Sequence, residues 1–426
     1  MSNSKILIRG GEITDPRSPF NGQRKDILIE KGKITKIGSR IKAEKSYQVI
    51  EAKGCQITPG LFDLRAQFKD PGKEHKEDFI SGAMAAQLGG YTGVVLQPTT
   101  DPVTQTKSGI HYVRSHSQGL LSTMYTCGAS TADLKGDEIS EMFDMHSAGA
   151  VAFSNGDRPY HNSGVLMRAL LYCQSFGGLI MTHSEDKHLA ANGSVNESVS
   201  TIGTGLKKRP PMAEYIQVEK ELNLLRYTGG RLHFSHISTE QSVAAIRKAK
   251  KEGLGVSCDV SIWNLVFNDE KVKTFDSNFK LLPPLRMEKD RRALVKGLKD
   301  GTVDAIVSDH NPQNIERKKV EFDYAAFGNS SLQTVYSIYN ELLSAELDFE
   351  QFVQRAAISP RELLGLEVPS IQIDQQADLA IFDPEAKWTL NARTSGSKSG
   401  NNPFFGNELN GKCIYIQNGD RYAIHE

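Results

Sequence analysis

Three polar side chains with chemical reach, Asp63, Arg65 and Gln67, alternate along Ile57-Thr58-Pro59-Gly60-Leu61-Phe62-Asp63-Leu64-Arg65-Ala66-Gln67-Phe68-Lys69-Asp70-Pro71-Gly72. The front half of this stretch reads as a short apolar strand after a Pro-Gly turn. Strand alternation then puts all three side chains on one face. In a barrel that face points inward, toward the mouth where (β/α)8 enzymes keep their chemistry. A further acid, Asp309, ends an apolar run at 303–307, where an isolated carboxylate is costly to ionise. The expectation is a buried ion pair, with the Arg65 guanidinium in the mouth against Asp309 and Asp63 as a second partner. Gly203-Thr204-Gly205-Leu206-Lys207-Lys208 lacks the spacing of a phosphate-binding loop and is set aside.

The elements that must position these residues follow from the period of the pattern. Between about 56 and 364, strand-like runs alternate with helix-like ones. Besides the strand at 57–64, strands are predicted at 93–97, 125–127, 150–153, 179–182, 232–235, 255–259 and 305–308. Helices are predicted between them, at 79–88, 166–176, 212–227 and 241–251. Eight strands, each followed by a crossover, make an α/β chain of the (β/α)8 TIM-like barrel class. The two ends differ from the middle. Runs at 5–9, 26–30 and 34–37 read as short strands, with Gly10-Gly11 as a turn and a hairpin about Gly32. Runs at 377–382, 388–390 and 412–416 mirror them around a Ser/Gly/Asn-rich loop at 394–402. The expected domains are a small composite β-sandwich from 1–55 plus 365–426, and a barrel from 56–364.

A length of 426 residues suits that division. Lysine plus arginine total 51, as do aspartate plus glutamate, so the basic bias of a nucleic-acid or membrane-surface protein is missing. Cys55, Cys127, Cys173, Cys258 and Cys413 form no C-x-x-C pair and read as reduced core residues. No apolar run approaches spanning length, and an alternating strand begins too early for a signal peptide. The expected setting is the cytoplasm, with neither nucleic acid nor membrane as partner.

Taken motif by motif, the chain resembles the dihydroorotase family of cyclic amidohydrolases, within the amidohydrolase superfamily. The stretch at 57–72 resembles that family's first barrel strand, Pro-Gly-x-x-Asp-x-His-x-His, with Arg65 and Gln67 in place of two metal-binding histidines. Lys69 stands where the family carries a substrate-binding arginine; lysine is a point charge and cannot make the planar two-bond grip. Gln97-Pro98-Thr99-Thr100-Asp101-Pro102 resembles Met-Pro-Asn-Thr-x-Pro, with Thr99 for a substrate-binding Asn. Ala152-Phe153-Ser154-Asn155-Gly156-Asp157 resembles a segment whose first acid bridges two zincs in one class of the family; here that position is Asn155, a poor neutral ligand. Thr182-His183-Ser184-Glu185-Asp186 and His233-Phe234-Ser235-His236 keep their histidines, so His183 and His236 are implied as metal ligands. Ser308-Asp309-His310-Asn311-Pro312 keeps the acid that binds metal and shuttles the proton in the family. Gln313 replaces a substrate-holding His, and Leu282 an Asn within Lys280-Leu281-Leu282-Pro283-Pro284-Leu285-Arg286.

The family's reaction is reversible closure of carbamoyl-aspartate to dihydroorotate in pyrimidine biosynthesis, with a metal lowering the pKa of water to about 7. The altered positions imply a divergent member that has lost catalysis and most metal ligands. Asp309 would be vestigial, Lys69, Thr99 and Gln313 altered substrate positions, and Arg65, Gln67 and Asn155 structural replacements at the metal site. No cofactor is then expected. The family includes non-catalytic partners of aspartate transcarbamoylase, so the implied role is structural or regulatory, as a homo-oligomer or beside that or another pyrimidine-pathway enzyme. The rival reading keeps an enzyme: a single zinc on His183 and His236, Asp309 as base, and Lys69 and Arg286 as anion contacts. A ligand-binding sensor that kept the pocket without the chemistry is the third.

Overall fold

The structure, a computed structural model, describes residues 5–425. Its centre is a sheet of eight strands in chain order: Leu61–Ala66, Tyr91–Leu96, Thr123–Ala129, Ala150–Ser154, Leu179–His183, Arg231–Ser235, Val256–Ser261 and Ala305–Val307. Every neighbouring pair is parallel. The sheet closes where Ala66 bridges His310 and the Gln67 N–H donates to the His310 carbonyl at 2.8 Å. Phe62, Leu64, Val95, Cys127, Met181 and Val307 fill the barrel interior, while a larger apolar layer lies between the strands and the surrounding helices. The expected (β/α)8 barrel is thus present.

The helices follow from local chemistry. Phe79–Leu88 begins at a capping box, in which the Asp78 carboxylate accepts from Ser81 N–H and the Ser81 hydroxyl turns back to the cap. Glu240–Lys251 starts at Thr239, whose hydroxyl accepts from Ser242 N–H, and ends in three lysines that complement the helix dipole. Ser163–Gln174 and Met212–Thr228 lie within three residues of their expected ends.

Both chain ends enter one eight-stranded sheet. Its order is Arg421–Ile424, Glu408–Asn418, Asp378–Thr389, Gln56–Pro59, Lys5–Ile13, Arg24–Glu30 and Lys33–Gly38, with Tyr47–Glu51 also along Lys5–Ile13. Ile34 and Ile37 from one edge share a buried cluster with Leu379, Ile381 and Tyr415 from the other half. The Ala377 N–H donates to the Gly32 carbonyl at 2.8 Å, so the sheet curls over its core as a composite sandwich.

Three details differ from the sequence reading. Gly10-Gly11 is no turn: Lys5–Ile13 runs through it, and the register shifts between Ile8 and Gly11 at a bulge where Gly10 has φ of +68°. The runs expected at 377–382 and 388–390 are one strand, Asp378–Thr389, with a register shift between Asp383 and Lys387. The chain passes from sandwich to barrel at Gly60 rather than at 55, because Gln56–Pro59 pairs with Asp378–Thr389. A Cβ at Gly60 would run into Thr92 and the Asp378 carboxylate, so glycine is required at that crossing.

Candidate functional site

The register of the first barrel strand shifts between Asp63 and Ala66, so Arg65 reaches the mouth above the interior Phe62 and Leu64, with Gln67 and Lys69 just past the strand's end; all three are buried there. What they meet is Asp157. An Arg65 Nη2 donates to one Asp157 oxygen, and Gln67 Nε2 donates to the other at 3.1 Å. Arg65 Nη1 also reaches Gln97 Oε1 at 3.4 Å. Gln67 Oε1 accepts from Lys69 Nζ and, at 2.9 Å, from the Thr99 hydroxyl. Four sequence-predicted positions are thereby joined through one acid that had been passed over.

Asp157 reaches the mouth because Asn155-Gly156 turns the chain after the fourth strand. Gly156 has φ of +61°, and a Cβ on it would strike the Thr99 side chain. Burial opposes ionisation of Asp157, but Arg65, then His183 and Lys69, outweigh it and hold its carboxyl below the ordinary range. The readable signal was a turn dipeptide followed by an acid, opposite a cation that needed one.

The expected pairing of Arg65 with Asp309 and Asp63 is not what forms. The guanidinium is taken up by Asp157, and Asp309 feels Arg65 only through its field. Asp309 Oδ1 lies 3.5 Å from His236 Nε2 instead. Burial drives the Asp309 carboxyl well above its usual value, with the charges of Asp157, Asp259 and Asp63 adding to it. Asp63 accepts from the Ser308 N–H at 3.1 Å and the Ser308 hydroxyl, sewing the first strand to the last. Burial pushes its pKa up to about 7 despite these donors.

Asn155 also turns away from the space it was expected to line. Its Oδ1 accepts from the hydroxyls of Ser130 and Thr131 at 2.9 and 2.8 Å. Gln313 is bound by Lys76, Asn311 and the Phe327 carbonyl. Arg286 is not available as an anion contact: it donates to Ser238, Asn196 and the Arg209 carbonyl, deep beside Glu214.

His183 and His236 do come to the mouth. All four of their ring nitrogens are buried without a protein hydrogen-bond partner, as is Arg65 Nε. Burial lowers the pKa of both rings; the Arg65 charge lowers each further, while Glu185 and Asp157 partly offset the shift at His183. Both rings are therefore harder to protonate than a free imidazole. Lys69, His236 and Asp309 have φ of +64°, +56° and +55°, a cluster of left-handed non-glycine residues of the kind that collects at binding sites.

The neighbouring residues are held by pairs that the sequence did not announce. His233 meets Asp259 at 2.9 Å, and Asp259 also accepts the His236 N–H at 2.7 Å. His310 accepts backbone N–H groups at Nδ1, which leaves Nε2 to donate to Glu77 at 3.3 Å. Glu77 in turn accepts from Ser397 and the Lys398 N–H, so the 394–402 loop of the sandwich is tied to the mouth.

Comparison with known proteins decides the family. Residues 54–242 match the model for dihydro-orotase-like proteins. The chain is 36% identical over 412 residues to the dihydroorotase of Geotalea daltonii, covering 96% of this chain and 97% of that one. It is 37% identical over 425 residues to the dihydroorotase of Acetivibrio thermocellus, covering 99% of each. The chain belongs to the dihydroorotase-like family. The fold is shared with an L-hydantoinase from Arthrobacter aurescens, at a TM-score of 0.85 and 22% identity over 99% of this chain and 96% of that one. A dihydropyrimidinase from Brevibacillus agri gives 0.81 and 22%, over 99% and 95%.

The metal that the family resemblance implies does not fit this dihydroorotase-like mouth. Among the described residues no three or more His, Cys, Asp or Glu side chains are grouped to hold a metal ion. Catalytic zinc wants three protein ligands and an open position. Here two imidazoles remain, the Arg65 guanidinium acts on both, Asp157 is taken up by Arg65 and Gln67, and burial raises the Asp309 carboxyl well above its usual range.

Proposed function

We propose that this dihydroorotase-like chain no longer catalyses ring closure and serves pyrimidine biosynthesis as a structural or regulatory partner, with aspartate transcarbamoylase the first candidate. The observation that carries this reading is the Arg65–Asp157 pair, whose permanent cation acts on His183 and His236, the two histidines kept at implied metal positions. Metal-activated water is then unavailable. The anion contact that the enzyme reading would give Lys69 is taken up as well, because its amine is buried and turned onto Gln67. A homo-oligomer in the cytoplasm is the form in which we expect it to act. The test is sedimentation of the purified chain alone and mixed with the aspartate transcarbamoylase of the same genome. A faster joint boundary supports the partner role; independent boundaries at all concentrations contradict it.

The four unpartnered ring nitrogens favour one competing reading, a hydrolase with a single zinc on His183 and His236 and Asp309 as base. Stoichiometric zinc that survives dialysis would favour it over ours.

A further inference from the structure

At the opposite end of the barrel from the mouth, Thr123 and Met124 open the third strand beside a hollow of about 600 Å³. The helix Lys107–His116, residues 117–122 and Arg421 of the sandwich complete its walls. Its charge is of one sign. His111 and Arg114, three residues apart, share a face of the helix, and Arg421 enters from the last strand of the other domain. Among the described residues no Asp or Glu lines the hollow, and the side chains of His111 and Arg114 have no bonding partner in the chain. Arg421 is oriented by Nη1, which donates to the Leu120 carbonyl at 2.8 Å and leaves its other N–H groups free. A basic residue in the last helical turn suits the negative end of the helix dipole, which accounts for Arg114. It does not account for His111 a turn earlier or for Arg421 from the sandwich. Beyond Thr123 and Arg421 the hollow adjoins a second, of about 490 Å³, where Lys31 and Lys33 face one acid, Asp420.

A cleft lined by one sign of charge concentrates the opposite ion, and guanidinium forks match phosphate oxygens through paired hydrogen bonds. An imidazole offers an N–H in either protonation state. The Thr123 hydroxyl accepts from Asn418 Nδ2 at 3.1 Å and keeps its own O–H to donate. The volume exceeds what a phosphate group needs and leaves room for the body of a small monoester over Leu120 and Met124. We propose that this hollow binds a phosphate group, free or carried by a small phosphorylated molecule, through Arg114, Arg421 and His111. Arg114 belongs to the barrel and Arg421 to the sandwich, so the bound group ties the two domains together. The inference is independent of what the mouth does: the N-terminal face of a (β/α)8 barrel lies away from its chemistry.

The test is equilibrium dialysis of the full chain with labelled adenosine monophosphate, inorganic phosphate and adenosine in separate arms. Saturable uptake of a phosphate-bearing probe and none of adenosine is expected, with a Tm that rises as that probe is added. Tighter uptake of the monophosphate names a phosphorylated metabolite as the source, and uptake of inorganic phosphate at least as tight names the free ion. Arg114→Leu and Arg421→Met should each weaken uptake about tenfold or more, and His111→Leu should weaken it by less. Arg114 is exposed and bonds to nothing, so its variant folds; should Arg421→Met disturb the loop it holds, Arg114→Leu and Arg421→Lys still decide. No saturable uptake of either phosphate, uptake of adenosine alone, or uptake unchanged in both arginine variants overturns the proposal.

Discussion

Arg65 on the first barrel strand donates to Asp157 beyond the fourth, across 92 residues of sequence and from a buried position in the barrel mouth. The two ends of this pair are not equivalent. Arg65 has 1% of its side chain exposed, whereas Asp157 has 32%.

That asymmetry predicts unequal costs. Asp157→Ala strands a buried guanidinium and should destabilise by about 3 kcal/mol. Arg65→Met leaves a carboxylate that still has water and the Gln67 hydrogen bond, and should cost about 1–2 kcal/mol. Combining Arg65→Met with Asp157→Asn should recover part of the loss, whereas Arg65→Met with Asp309→Asn should be nearly additive. Urea unfolding of the double-mutant cycles measures both couplings. Strong coupling to Asp309 in place of Asp157 would contradict the geometry.

Asp63 should tilt the stability curve. Its folded pKa is about 7 against an ordinary 3.8, so between those values the folded state holds a proton that the unfolded state has released. The contribution is full below about 4 and is lost as pH rises through about 7, with an upper bound of about 4 kcal/mol. Asp63→Asn should therefore flatten the pH dependence of the urea midpoint in that window. An unchanged slope would show that Asp63 is ionised throughout.

Lys69 should act with the opposite sign. Burial lowers its amine to about 7 from 10.5, so the unfolded state binds more protons between those values and stability rises with pH there. Lys69→Met should make that rise smaller, Lys318 (also lowered to about 7 by burial) keeping its own share, as read by thermal unfolding at a series of pH values above 7. A rise of undiminished size in the variant would show that Lys69 does not contribute to it.

The purified chain should carry much less than one zinc. His183 and His236 are too few donors to offset dehydration of the ion, and Arg65 opposes its charge. Elemental analysis after dialysis against buffer checks this, and a full equivalent held by those histidines would contradict it.

The barrel, the helices and the meeting of the strand ends at one mouth were legible because strand and helix periods mark the elements and strand order fixes which ends meet; the register shift between Asp63 and Ala66 that turns Arg65 into the mouth was not. Nor was the partner of Arg65. Strand order brings the ends of the fourth and eighth strands to one mouth, but the backbone turn at Asn155-Gly156, past the strand's end, decides that Asp157 meets Arg65. The bulge at Gly10-Gly11 was read as a turn for a related reason: two glycines permit either conformation, and the pairing with Arg24–Glu30 selects one. The Glu77–His310 link joins residues 233 apart and had no local signature.

Dihydroorotate turnover by the dialysed, metal-analysed chain measures most directly whether the mouth still performs its family's metal-dependent reaction. No turnover above detection is predicted, with or without added zinc. Turnover abolished by Asp309→Ala would contradict the account, because it would show Asp309 acting as the base of a working site.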